Sequence, residues 1–238
     1  SLYHFLEKKY QEPTREEAAE LDKLLLKGKY KQAIKTCLSL IKPYPNSAVI
    51  CLALGDAYKE LGKIDQAIAS YKKIPEYHGQ TKQGFVRLGE LYTKIENIDA
   101  AIENFQKALK IDPQDSAIYH LLGQSFKDQD DSNQAEKYFK KAIKINPKNA
   151  LHHNALGLLL EEQKEHKSAA TSFRKAIKIL PNDARMHANL GIALKTIDRK
   201  NAAKSFEKCL EIEPNWLDIL TSLGCVLNEM SRYTDAKV

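Results

Sequence analysis

Residues 88–113 read LGELYTKIENIDAAIENFQKALKIDP, and residues 122–147 read LGQSFKDQDDSNQAEKYFKKAIKINP. Superposed, the two stretches agree in four columns: Leu88-Gly89 with Leu122-Gly123, Ala101 with Ala135, Phe105 with Phe139 and Pro113 with Pro147. The same columns extend outward in both directions. Leu-Gly recurs at Leu54-Gly55, Leu156-Gly157, Leu190-Gly191 and Leu223-Gly224, at steps of 34 residues until a last step of 33. Alanine recurs at Ala67, Ala169, Ala202 and Ala236, the aromatic at Tyr71, Phe173 and Phe206, and proline at Pro181 and Pro214. Four columns in register make the period the feature that decides the fold.

Within each period the apolar residues fall at helical spacing, as in Leu52, Leu54, Tyr58 and Leu61. The small residues of the glycine and alanine columns allow two helices to approach closely. Asp65, Asp99 and Ser132 stand where a second helix begins, and Asn46, Asp115, Asn149 and Asp183 where a first helix begins; each is expected to cap free amides. The prolines end the second helices. A helix–turn–helix of this size cannot bury its own apolar face, so each unit must stack on its neighbours.

The pattern resembles the tetratricopeptide repeat over nearly the whole chain. The resemblance implies an all-α fold, a right-handed superhelical α-solenoid of about seven units: 14–47, 48–81, 82–115, 116–149, 150–183, 184–216 and a truncated 217–238. The first unit departs from the pattern, with Glu20-Leu21 in place of Leu-Gly, while Gly28, Ala33 and Pro45 keep the register. In 48–81, Pro75 comes early and Gly79 lies in the tail, which predicts a second helix that ends sooner. The 184–216 unit lacks one residue, expected in its inter-helix turn. Residues 1–13 carry Tyr3, Leu6 and Tyr10 at helical spacing and are expected to form a helical extension. Val238 falls inside the expected second helix of the last unit and Ser1 is not Met, so the sequence reads as a segment of a longer protein, whose uncapped C-terminal end is expected either to fray or to pair by self-association.

Composition narrows the class further. A hydrophobic fraction of 43% with 29% charged residues suits a folded chain, and no apolar run reaches the roughly 18 residues of a membrane span. Four Cys without paired close spacing suit a reducing compartment, so the expected location is cytoplasmic. The net charge of +6 raises nucleic acid as a partner. The surplus lysines, however, lie on second helices, in Lys140-Lys141-Ala142-Ile143-Lys144 and Arg174-Lys175-Ala176-Ile177-Lys178, so no nucleic-acid groove is expected.

No glycine-rich phosphate loop, CxxC pair, HExxH or serine elbow occurs, and no catalytic residue, cofactor or metal is expected. His153 and His187 hold one position in adjacent units, roughly 10 Å apart, too far to share a metal, and read as polar-tipped packing residues, with His152 and His120 nearby in the register. Cys37, Cys51 and Cys209 read as packing filler, Cys225 as the reactive candidate and Trp216 as core.

The resemblance also implies that first helices line a concave groove. Carried over position by position, the groove set includes Asp56, Lys59, Arg87, Glu90, Lys94, His120, Gln124, Lys127, Asn154, Arg185, Asn189 and Lys195. Seven basic and nine acidic groove positions leave it near neutral. The implied function is a non-catalytic scaffold that binds a peptide or helix of a partner protein. An alternative is the substrate-presenting arm of a larger glycosyltransferase of the O-linked N-acetylglucosamine type, or of a sulfotransferase. Those arms use an asparagine ladder, of which Asn189 fits and Asn154 is one place off. A third is a chaperone-tail adaptor, whose dicarboxylate clamp has its nearest fragments in Arg87 and Arg185/Asn189.

Overall fold

The computed structural model describes residues 12–74 and 81–235. The expected extension with Tyr3, Leu6 and Tyr10 lies outside the described residues, as do Pro75, Gly79, Ala236 and Val238. Among the described residues the chain forms thirteen α-helices and no strand. It divides into two compact units, one up to Gln114 and one from Asp115. The first holds α1 (Arg15–Leu26), α2 (Tyr30–Leu40), α3 (Ala48–Glu60), α4 (Ile64–Lys72), α5 (Thr81–Lys94) and α6 (Ile98–Ile111). The second holds α7 (Ser116–Asp128), α8 (Ser132–Ile145), α9 (Ala150–Glu162), α10 (His166–Ile179), α11 (Ala184–Leu194), α12 (Arg199–Ile212) and α13 (Leu217–Asp235). Within each unit consecutive helices pack as antiparallel hairpins and each hairpin stacks on the next, so the architecture is the expected all-α solenoid.

The glycine column has a specific partner. Gly55 faces the ring of Tyr71, and Gly89, Gly123, Gly157 and Gly191 face Phe105, Phe139, Phe173 and Phe206. A Cβ at any of these five would lie 2.3–2.6 Å from a ring carbon, inside van der Waals contact. All five rings are at most 2% exposed. The divergent first repeat keeps the volume by exchanging the pair: Leu21 takes the glycine place and Cys37 the aromatic place, both fully buried in one cluster with Ile50 and Leu54. That exchange explains both the lost Leu-Gly signature and a cysteine at a core position.

The inter-helix turns share one geometry. Gly28, Gly62, Glu96, Asp130 and Lys164 all have φ between 60 and 71°. Two backbone bonds close each turn; at the second of them Lys63 N donates to Tyr58 O and Gly62 N to Lys59 O. This is a Schellman-type helix end, which glycine accommodates without strain and Glu, Asp and Lys do not. The sixth repeat differs from expectation here: α11 has 11 residues against 13 in α7 and α9, while the turn after it has four residues against three, so the net loss of one residue comes from the helix and not the turn. Residues 195–198 then turn without a left-handed residue.

Capping also departs from expectation in part. Asp115, Asn149 and Asp183 cap α7, α9 and α11 as predicted, at 2.9–3.0 Å from the second amide beyond each. Asn97 and Asp131 cap α6 and α8, in place of Asp99 and Ser132, and α4 starts at Lys63 with no side-chain cap. Asp65 and Asp99 sit inside the first turn, where their charge meets the positive end of the helix instead. Ser47 replaces Asn46 as the cap of α3, and Glu12 accepts from Ser47 Oγ and Ala48 N of the same helix start.

The second helices end two residues before Pro113, Pro147, Pro181 and Pro214, and α4 stops at Lys72 after only 9 residues, sooner than the others as expected. In the last unit α13 continues for 19 residues, through Ser231, which stands seven residues after Gly224 where the other units turn. Among the described residues, nothing lies within 4 Å of a would-be Cβ at Gly224.

Candidate functional site

First helices of neighbouring hairpins touch along one side of each unit: α3 contacts α1 and α5, and α9 contacts α7 and α11. On the first unit this side forms a cleft of about 330 Å³, lined by Ala18, Asp22 and Leu25 of α1, Val49, Leu52, Ala53 and Asp56 of α3, and Gln83 and Arg87 of α5. Every lining residue comes from a first helix.

Four of the expected groove residues meet there. Tyr71 donates its hydroxyl to Asp56 Oδ1 at 2.6 Å, which holds that carboxylate against the floor. Burial, and then the Asp56 hydrogen bond, push the Tyr71 hydroxyl well above its ordinary pKa, so it remains a donor. Arg87 Nε approaches the same Oδ1 at 3.5 Å and Lys59 Nζ at 3.9 Å, while Arg87 Nη1 donates to Glu90 Oε2 at 3.2 Å. Lys59 also lies 3.5 Å from Glu60. Asp56, Lys59, Arg87 and Glu90 are therefore one charge-balanced network across α3 and α5, anchored by a tyrosine whose place in the aromatic column predicts packing alone. Lys94, at the end of α5, is exposed.

In the second unit Asn189 Nδ2 donates to Asn154 Oδ1 at 2.9 Å, bridging α11 and α9 although the two are a place out of register. Lys127 of α7 pairs with Glu162 of α9 at 2.7 Å, and Gln124 donates to Asp128. Arg185 behaves differently: its guanidinium forks onto Asp183, the cap of its own helix, at 2.9 and 3.3 Å, and is not gathered with the others. Lys195 ends α11 near Glu229, whose carboxyl is held below the usual range chiefly by Arg199 at 2.8 Å, with Lys195 adding to the effect.

The histidines divide into two kinds. His153 and His187 point Nε2 at the carbonyl oxygens of Pro147 and Pro181, at 3.0 and 2.8 Å. A carbonyl only accepts, so each Nε2 carries the proton, and both rings tie a first helix to the bend before it. His120 and His152 instead meet each other across α7 and α9, Nδ1 to Nδ1 at 3.4 Å with ring centroids 5.2 Å apart. His152 is 2% exposed, and its Nε2 has no partner among the described residues. Burial, then the neighbouring His120 and His153, lower its pKa to about 4. The sequence does not reveal this contact because its spacing is 32 residues, off the repeat period.

Among the described residues no group of three or more His, Cys, Asp or Glu is placed to hold a metal ion, and no helix is long and apolar enough to cross a membrane. Cys37, Cys51 and Cys209 are buried and Cys225 is exposed; burial pushes the Cys37 thiol up to about 12. Trp216 is half-buried against the core of the second unit.

Three repeat families match along the chain. Residues 75–187 match the cytochrome c-type biogenesis protein H TPR domain, and residues 24–84 and 184–215 match two tetratricopeptide repeat families. No curated protein sequence matches. Among solved structures, MamA shares 29% identity over 71% of this chain and 93% of its own, with a TM-score of 0.62. YrrB, described as a TPR protein with an unusual peptide-binding site, shares 19% over 78% of this chain and 96% of its own, at 0.62. The C-terminal part of a TPR repeat-containing protein from Cytophaga hutchinsonii shares 22% over 92% of this chain and 88% of its own, at 0.74. With the repeat columns, the glycine–aromatic packing and these matches agreeing from residue 24 to residue 215, the chain is a tetratricopeptide repeat protein.

Proposed function

We propose that the chain is a non-catalytic scaffold that binds a peptide or short helix of a partner protein along its first helices. The observation that carries this reading is the cleft on α1, α3 and α5. Its floor is apolar (Leu25, Val49, Leu52, Ala53) and its wall is the Asp56–Arg87–Glu90 network, already hydrogen-bonded before any ligand arrives. A pre-formed concave surface loses little entropy on binding, so a short segment binds with micromolar strength at modest contact area. The peptide-binding site for which YrrB is described is in keeping with this use of the fold. The reducing character of four unbridged cysteines suits the cytoplasm.

The test is selection of a displayed library of short peptides on the chain, followed by binding of the selected clones to Gln83→Trp and Arg87→Glu variants. Gln83 is exposed at the cleft, so the first variant fills the space without touching the core. Clones that bind both variants as well as the parent would place recognition elsewhere.

One observation favours the alternative of a transferase arm. The Asn154–Asn189 contact leaves a donor on Asn154 and an acceptor on Asn189, the pair of groups that a peptide unit needs. The chaperone-tail adaptor gains nothing comparable, since Arg185 is engaged by Asp183 and Arg87 by Asp56 and Glu90. Self-association would use α13, whose Leu217, Leu220 and Leu227 are exposed beside the uncovered Gly224.

A further inference from the structure

The second helices of the second unit, α8, α10 and α12, carry twelve Lys and Arg against three Glu, a surplus of nine. The whole chain has a net charge of only +6, so everything outside this layer sums to negative. All twelve cations are exposed. The first helices of the same unit, α7, α9, α11 and α13, net −3 by the same count. The unit is thus polarised, with one basic side opposite its first helices. Some of the layer is compensated: Lys140 pairs with Glu136, Lys208 with Glu211 at 2.6 Å and Arg199 with Glu229 at 2.8 Å. Most of it is not.

The layer also has a recess. Between α10 and α12 a cleft of about 390 Å³ is floored by His187, Leu190 and Leu194 of α11 and walled by Arg174, Lys204 and Lys208, with Asn201 and Ser205 at its edge. The nearby acid, Asp198, is occupied by Asn201 at 2.6 Å and caps α12, and it lies beside Arg174 and Lys200. Arg174, Lys204 and Lys208, the last shared with Glu211, converge on this recess over the nearly buried Leu190 and Leu194, and form a receptacle for carboxylate side chains.

We infer that this outer cleft of the second unit docks an acidic, unstructured segment of a partner protein, rich in Asp and Glu, at a place distinct from the first-helix groove. Ten of the layer's twelve cations are lysines, point charges suited to carboxylates in varied geometry and not to the bidentate phosphate contacts that arginine favours. The aromatic residues that a base could stack on are absent from the cleft lining, where the histidine is tied to Pro181. A plane of lipid head groups would meet the crests of α10 and α12, whereas a flexible chain reaches the cations that wall the recess.

The experiment is fluorescence anisotropy of a labelled deca-glutamate peptide on the full chain, from about 20 to 300 mM salt. Binding is expected to weaken steeply with salt. The triple variant Arg174→Glu, Lys204→Glu, Lys208→Glu is expected to lose about tenfold or more in affinity, from the summed loss of three exposed pairings and the added repulsion. The equally charged control Lys137→Glu, Lys140→Glu, Lys144→Glu, remote from the cleft, is expected to lose clearly less. Circular dichroism and melting of both variants verify that they fold. Equal losses in the two triples would overturn the cleft in favour of a diffuse field. Absence of binding at low salt would overturn the docking surface itself. Tighter binding of phosphatidylserine-containing vesicles, or of a single-stranded RNA oligonucleotide, than of the peptide at physiological salt would overturn the choice of partner. None of these outcomes touches the first-helix groove, whose own variants report separately.

Discussion

A single column of glycines controls how closely the hairpins close. At Gly157 a Cβ would lie 2.5 Å from Phe173, a ring with no exposed surface that cannot move aside without disturbing its neighbours. Gly157→Leu is therefore expected to cost about 2–3 kcal/mol, and Phe173→Cys alone about 3–4 kcal/mol through the cavity it leaves. The first repeat shows that the two changes compensate, because Leu21 with Cys37 fills the same space. The double variant should then lose less than the sum by at least about 1 kcal/mol, measured as coupling in urea denaturation; simple additivity would refute the exchange. The turns offer a change of opposite sign. Lys164 holds φ at 62° where Gly28 and Gly62 sit without strain, so Lys164→Gly is expected to stabilise by about 0.5–1 kcal/mol. A lower urea midpoint for that variant would mean that the lysine side chain contributes something the turn geometry does not show.

At the scale of elements, α7 and α9 are joined by the His120–His152 pair, of which His152 is buried. His152 has its folded pKa lowered to about 4 from an ordinary value near 6.5, with burial first, then His120 and His153, as the cause. The unfolded chain then binds more protons between those values, so stability is complete above about pH 6.5 and falls as the pH drops toward 4. The expected loss from this histidine is on the order of 1–2 kcal/mol, less than the full shift would give because water relaxes around a protonated ring in an opened hairpin. The carboxylates of Asp183, Asp198 and Glu229, held low by Arg185, Asn201 and Arg199, lose their contribution only in the more acidic carboxylate range. Urea midpoints taken from pH 7 to 4.5 separate the two windows. His152→Leu should flatten the upper one, and an unchanged slope in that variant would assign the pH dependence to other groups. The caps at this scale also show why the sequence misplaces some helix starts. Asp65 and Asp99 are good caps by residue type, but capping depends on a non-helical backbone one step before the first turn, and that position falls to Lys63 and Asn97.

For the molecule as a whole, the period is legible because the middle hairpins solve one packing problem with the same few residue types, a glycine against an aromatic ring above all. What the period cannot carry is whatever departs from it: the His120–His152 pair at 32 residues, the Asn154–Asn189 bridge one place out of register, and the tyrosine in the aromatic column that also holds Asp56. Asp56, Lys59, Arg87 and Glu90 gather into first-helix contacts, yet Arg185 turns to its own cap, because a carboxylate two residues away is nearer than a partner in the next hairpin. The same logic fixes where the stack is weakest. Stability in a solenoid is the sum of each repeat and its interfaces, and among the described residues α13 packs chiefly on α12, with nothing over Gly224. Gly224→Ala should therefore stabilise by up to about 1 kcal/mol through helix propensity, the reverse of its effect in the five covered positions. Trp216, the only tryptophan, packs at the root of α13 against the core of the second unit and so reports its docking. Its fluorescence is expected to change at a lower urea concentration than the helical circular dichroism, and the gap should narrow in Gly224→Ala. Coincident transitions in the parent chain would show that α13 unfolds together with the rest of its unit, and that an uncovered helix face costs this solenoid nothing.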